Sequence, residues 1–279
     1  VTVLITAADL TTLLAERDRG SRDVVVLDVR WTLGGPPGHA TYLEGHLPGA
    51  VYVDLDTELA SHGEPTDGRH PLPDLADLQA AARRWGVRQG STVVAHDGGG
   101  NLAAARAWWL LRWGGLSDVR LLDGALPAWT AAGGALETDD VRPEPGDVEL
   151  VGGGLPVLDV DDVEAFAATG TLLDARAGER YRGEVEPIDP KAGHVPGALS
   201  APTGDNLAPD GTFLDSAALR ARFESLGITD DTAVAAYCGS GVTAAHEVAA
   251  LAVAGFEAAL YPGSWSQWSN QDRPVATGE

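Results

Sequence analysis

Residues 91–115, STVVAHDGGGNLAAARAWWLLRWGG, and residues 231–255, DTAVAAYCGSGVTAAHEVAALAVAG, are two versions of one pattern. Each passes from a short apolar run through a glycine-rich turn into a longer run of mostly apolar residues. TVVAH and AVAAY read as buried strands, and LAAARAWWLLRWG and TAAHEVAALAVAG as helices. A buried strand followed by a tight turn and a helix is the building unit of a parallel sheet covered by helices.

Three further pairs recur in the same order. VVVLDVR (24–30) answers TLLDAR (171–176), GHLPGAVYVD (45–54) answers GHVPGALSAP (193–202), and LLDGALPAW (121–129) answers LYPGSWSQW (260–268). Four matched segments at similar spacing indicate a duplicated domain, with a unit far longer than a solenoid repeat. VVVLDV and TLLDA add strands. DSAALRARFESLG adds a helix, with Asp215 or Ser216 as N-cap and Gly227 just past its end. The expected fold class is α/β, in two tandem domains that are each a parallel sheet flanked by helices. Residues 1–140 form the first copy and 155–279 the second. Residues 141–154 lie in a stretch rich in proline, glycine and acid, which reads as a solvated linker.

Composition narrows the function. A 279-residue chain with 44% hydrophobic residues can bury a sizeable core. A net charge of -22 argues against binding nucleic acid or an anionic membrane, since both require a basic face. No apolar run approaches the ~20 residues of a membrane span. The opening VTVLITAADL has no charged start and no cleavage-type segment, so the expected location is the cytoplasm. The single cysteine, Cys238, allows no internal disulfide and no cysteine-rich metal site, and no metal or cofactor is expected.

Cys238 falls at the C-terminal end of a predicted strand, where open parallel sheets bind ligands. In CGSGVT, Gly239 and Gly241 allow backbone N–H groups to converge, and Ser240, Val242 and Thr243 complete a turn onto a helix N-terminus. Such a loop is an anion-binding nest that favours negative charge on sulfur. At the matching place the first copy carries Asp97, which cannot act as a thiol nucleophile. One half is therefore expected to be active and the other inactive.

These features resemble the tandem rhodanese-type sulfurtransferases over essentially the whole chain. The two GHxPGA segments, the LDVR and LDAR strands and the inactive first loop carry the resemblance, and CGSGVTA is similar to the 3-mercaptopyruvate branch. The resemblance implies that Cys238 takes sulfur from 3-mercaptopyruvate as a persulfide and releases pyruvate. A thiol, a thioredoxin or cyanide then accepts the sulfur. It further implies that Ser240 relays a proton with His70 as partner and Asp56 orienting the imidazole. Arg180, in GERYRGEVEP, falls on the family's first substrate-binding arginine, and a guanidinium fork suits a carboxylate. The second arginine expected downstream is missing from PIDPKAGH, where Lys191 is a substitute. Trp265 and Trp268 are expected to wall the pocket. His46 and His194, which recur in both copies, are expected to serve the fold, as are His96 and His246.

The rival within enzymes is a thiosulfate sulfurtransferase. A cysteine phosphatase needs an arginine six residues after the cysteine, and position 244 is alanine. A non-enzymatic persulfide carrier is the remaining alternative.

Overall fold

Five parallel strands form the sheet of the first unit: β1 (Leu4–Ile5), β2 (Val24–Asp28), β3 (Val51–Tyr52), β4 (Thr92–His96) and β5 (Val119–Leu122), in the spatial order β1-β5-β4-β2-β3. The second unit has β6 (Thr171–Asp174), β7 (Leu199–Ser200), β8 (Val234–Tyr237) and β9 (Ala259–Leu260), also parallel, in the order β7-β6-β8-β9. A parallel bridge from Val157 to Leu260 continues this sheet beyond β9. With Val157 standing in for β1, the two orders are the same, which is the duplication expressed as topology. The structure, a computed structural model, describes residues 2–279.

Helices of the first unit are α1 (Ala7–Asp18), α2 (His39–Glu44), α3 (Leu55–Glu58), α4 (Leu75–Arg84), α5 (Ala104–Trp113) and α6 (Ala125–Ala131). The second has α7 (Val163–Thr169), α8 (Gly178–Tyr181), α9 (Ser216–Ser225), α10 (Thr243–Ala254) and α11 (Ser264–Ser269). Their ends follow from local chemistry. Asp215 caps α9 by accepting from the Ala218 amide at 2.8 Å, and α10 stops at Gly255 in the left-handed conformation.

The valine-rich strands β2 and β4 are buried along their whole length, as central parallel strands between helical layers should be. Leu10, Leu13 and Leu14 of α1 pack with Val24, Val26, Val94, Leu122 and Trp129 in the first core. The second core gathers Leu172, Val195, Ala235, Tyr237, Tyr261, Trp265 and Trp268. The last two tryptophans, expected along a pocket wall, are fully buried core residues. Their indole N–H groups donate to the Lys191 and Pro274 carbonyls at 3.0 and 2.8 Å.

The repeated histidines brace the fold in both copies. His46 stacks on Tyr42 with ring centroids 4.1 Å apart, and His194 on Tyr181 at 3.8 Å. Tyr42 donates to the Ala50 carbonyl and Tyr181 to that of Ala198, each at 2.8 Å. Each LDxR motif likewise folds into a fork-on-carboxylate pair, Arg30 with Asp28 at 2.9 Å and Arg176 with Asp174 at 2.6 Å. His46 and His194 thus stack on a tyrosine alike whether or not the copy carries a cysteine, while their ring nitrogens meet different carbonyls, those of Leu47 and Asp139 for His46 and that of Tyr181 for His194.

The chain divides into two compact units, residues up to 60, 73–155 and 209–213 in one, and 61–72, 156–208 and 214–279 in the other. Residues 141–154 are mostly exposed but lie along the first unit. Val148 and Leu150 are buried, and the Gly146 and Val151 amides donate to the Arg83 and Gly114 carbonyls at 2.7 and 2.9 Å. Their proline, glycine and acid residues are mainly exposed, and the two buried apolar side chains between them anchor the segment to the first unit. Residues 61–72, which carry His70, belong with the second unit.

Candidate active site

Cys238 follows the last residue of β8, at the C-terminal edge of the second sheet, and α10 begins five residues later. The thiol is buried, 2% exposed, and its Sγ accepts from the Gly241 amide at 3.2 Å. The backbone of the loop is pinned from one side by α11. Trp265 N–H donates to the Cys238 carbonyl at 3.0 Å, Ser266 N–H to the Gly239 carbonyl at 2.8 Å, and Ser264 Oγ accepts from the Cys238 amide at 3.1 Å. Gly241 has φ +78°, and a Cβ there would lie 2.2 Å from the Pro262 carbonyl oxygen. The turn requires glycine at that point.

The first unit shows what this frame holds when a carboxylate replaces the thiol. Asp97 is buried. Oδ1 accepts from the Gly99 and Asn101 amides at 2.8 and 3.0 Å, and Oδ2 from those of Ala103 and Ala104 at 3.0 and 3.3 Å. Burial pushes the Asp97 carboxyl up from its ordinary range, while the four amides pull the other way. The loop of the repeat is therefore an anion nest. In the copy without a cysteine the chain's own carboxylate fills it.

Ser240 and His70 are both buried in the second unit, and Ser240 Oγ shares a hydrogen bond of 2.7 Å with His70 Nδ1. Asp56 lies in the first unit, where its carboxylate accepts from Trp31 Nε1 at 2.9 Å. Arg180, on α8, donates to Glu186 at 2.7 Å and to Asp189 at 3.3 Å. Its Nη1 comes within 3.5 Å of the point where a Gly239 Cβ would sit.

A second guanidinium borders the same point from the other chain segment. Arg69 Nη2 is 3.4 Å from it, and Arg69 Nη1 donates to Asp189 at 2.6 Å. Arg69 Nε is buried with no hydrogen-bond partner among the described residues. Asp189 thus bridges Arg69 and Arg180, and Glu186 ties Arg180 to Arg176. These acids hold two forks beside the cysteine loop and balance their charge. Lys191 does not join them, because its ammonium is taken up by the Gln271 and Arg273 carbonyls at 2.7 and 3.4 Å. Sequence reasoning sought the second arginine downstream of Arg180. The usable signal was its place directly before the candidate histidine, in GRHPLP.

His246 shares a 2.8 Å hydrogen bond with Thr203 Oγ1, and its neighbour Glu247 accepts from Asn206 at 2.6 Å and Arg222 at 3.1 Å. His96 lies 3.6 Å from Asp28. These contacts are structural ones, and among the described residues no helix is long and apolar enough to cross a membrane.

Comparison with known proteins agrees with this frame. The rhodanese-like domain family matches residues 9–132 and again residues 159–271. The chain belongs to the rhodanese-like domain family, as a tandem member with one cysteine-bearing copy. A Mycobacterium tuberculosis protein provisionally named thiosulfate sulfurtransferase SseB is 51% identical over 280 residues, covering 99% of this chain and 97% of its own. A Pseudomonas aeruginosa protein provisionally named 3-mercaptopyruvate sulfurtransferase is 48% identical over 285 residues, covering 99% and 98%. The crystal structure of SseA, a 3-mercaptopyruvate sulfurtransferase from Escherichia coli, superposes with a TM-score of 0.83 at 31% identity, covering 95% of this chain and 99% of that one.

Proposed function

We propose that this protein is a sulfurtransferase that takes sulfur from 3-mercaptopyruvate, carries it on Cys238 as a persulfide, and passes it to a thiol, a thioredoxin or cyanide. The observation that carries the choice of donor is the 2.7 Å hydrogen bond between Ser240 and His70, in the same loop as the cysteine. A thiol donor brings a proton that must move during transfer, and such a buried pair is suited to moving it.

In the first half-reaction the Cys238 thiolate attacks the donor sulfur. The new S–S bond forms as the C–S bond breaks, and the electron pair of that bond leaves with carbon as the enolate of pyruvate. The donor's thiol proton passes through Ser240 and His70 to the enolate carbon, so pyruvate departs and the persulfide remains as an anion. In the second half-reaction a thiolate or cyanide attacks the outer sulfur, and the S–S electron pair returns to Cys238 as the thiolate. Charge on the outer sulfur is met by loop amides. Support comes from the first unit, where the amides at positions matching Ser240, Val242, Ala244 and Ala245 surround a carboxylate. Gly239, Gly241 and Thr243 complete that loop. Arg180 and Arg69 hold the donor's carboxylate by charge-assisted hydrogen bonds.

A second reading, thiosulfate as donor, draws on the same two guanidinium groups, since two cations beside one loop also suit a dianion. Steady-state turnover by the purified protein alone tests both. Pyruvate release from mercaptopyruvate with a higher kcat/KM than thiocyanate formation from thiosulfate and cyanide is expected. The reverse order would move the protein to the thiosulfate branch, and no turnover with either donor would leave it a carrier loaded by another enzyme.

A further inference from the structure

The hydroxyl of Ser266 has two neighbours that the proposed chemistry must hold together. Ser266 sits on α11 and is 2% exposed. Its amide donates to the Gly239 carbonyl at 2.8 Å, within the cysteine loop. Its Oγ accepts from the Arg69 amide at 3.0 Å and donates to the Gly263 carbonyl at 3.1 Å. Arg69 directly precedes His70, so one residue is bonded both to the loop bearing Cys238 and Ser240 and to the segment bearing Arg69 and His70. The segment is seated closely there. Gly68 has φ +91°, and a Cβ on it would lie 2.8 Å from the Gly263 carbonyl oxygen and 3.2 Å from Ser266 Oγ.

The duplication supplies an internal control. LLDGALPAW and LYPGSWSQW align Gly124 with Gly263, Ala125 with Ser264, Trp129 with Trp268, and Pro127 with Ser266. The turn itself is the same in both units: Ala125 and Ser264 each have φ +53°. The Leu126 amide donates to the Asp97 carbonyl at 3.2 Å just as that of Trp265 donates to Cys238 at 3.0 Å. Pro127 has neither an N–H nor a hydroxyl, so none of the three Ser266 bonds has a counterpart in the copy without a cysteine. The fold builds this turn without them.

From this difference we infer that Ser266 is a positioning residue of the active copy, clamping the His70 segment onto the cysteine loop so that His70 meets Ser240 and Arg69 faces Gly239. It touches no reacting atom and acts through His70 and Arg69. The inference rests on the relay proposed above, and its test separates the two.

Ser266→Ala, which keeps the amide bond and removes the hydroxyl, should lower kcat with mercaptopyruvate by about 3- to 10-fold, the scale of one lost hydrogen bond. Ser266→Thr should restore it. In a His70→Ala background the same change should cost less than about 2-fold, because the group it positions is already gone. An equal loss in both backgrounds, or none in either, would overturn the inference. Amide hydrogen exchange of residues 61–72 needs no donor and reads the clamp directly. Faster exchange in Ser266→Ala protein is expected, and unchanged exchange would overturn the clamp. Faster exchange in a protein that does not turn over mercaptopyruvate would keep the clamp and remove the substrate reading.

Discussion

His70 Nδ1 and Ser240 Oγ lie 2.7 Å apart across 170 residues of sequence, and both are buried. If this pair moves the donor's thiol proton, its two members act as one unit. Ser240→Ala and His70→Ala should each lower kcat for mercaptopyruvate by about 100-fold or more, the range of general acid–base catalysis. The double variant should fall little further. Thiosulfate brings no such proton, so turnover of thiosulfate should drop less. Additive losses in steady-state kinetics would show that the two residues work separately.

Arg69 and Arg180 stand beside Gly239 and share Asp189. Alanine at either position should raise KM for mercaptopyruvate by about 10- to 150-fold, the cost of a lost charge-assisted hydrogen bond. A donor with the carboxylate removed, mercaptoacetone, distinguishes binding from a general disturbance. The ratio of kcat/KM for the two donors should collapse in either variant. A ratio equal to that of the wild type would place the carboxylate elsewhere.

Gly241→Ala puts a methyl group 2.2 Å from the Pro262 carbonyl oxygen in a left-handed backbone. The left-handed conformation alone costs an L residue about 1–2 kcal/mol, and the clash adds to it. The loop should yield before the sheet does. Sulfur transfer should therefore be lost while urea unfolding shows a loss on the order of 2 kcal/mol. Full activity in this variant would mean that the turn does not set the thiol's surroundings.

Glu247 gives the second unit a pH dependence with a definite sign. Burial pushes its carboxyl up, against the pull of Arg222 and Asn206. A raised folded value means the native state binds the proton more tightly than the unfolded chain. Its stabilising contribution is complete below the ordinary glutamate range and is lost as pH rises through the raised value. Urea midpoints from acid to neutral pH should thus fall less with rising pH in Glu247→Gln protein than in wild type. Parallel profiles would mean that Glu247 titrates alike in both states.

Much of this was legible in the chain. β2, β4, β6 and β8 are strands of four or five residues built around short apolar runs, and the four repeated segments pointed to the duplication and to parallel sheets. The strands β1, β3, β7 and β9 have only two residues each, too few to carry a period, and only pairing with a longer neighbour defines them. Cys238 and Asp97 could be matched because both sit in loops of equal length. Arg69 could not be ranked, because what gives it a role is proximity to Asp189 and Gly239, 120 and 170 residues away. The contacts of Lys191 and of the α11 tryptophans were hidden in the same way, since only the folded chain sets the ammonium against backbone carbonyls and the indoles in the second core.

The central claim is that sulfur rides on Cys238. Intact-protein mass spectrometry after brief treatment with 3-mercaptopyruvate, with no acceptor present, reads it directly. Wild-type protein should gain one sulfur atom, lose it again when cyanide is added, and show no gain when Cys238 is replaced by serine. A wild-type mass unchanged by the donor, or a sulfur adduct that still forms in Cys238→Ser protein, would contradict the account.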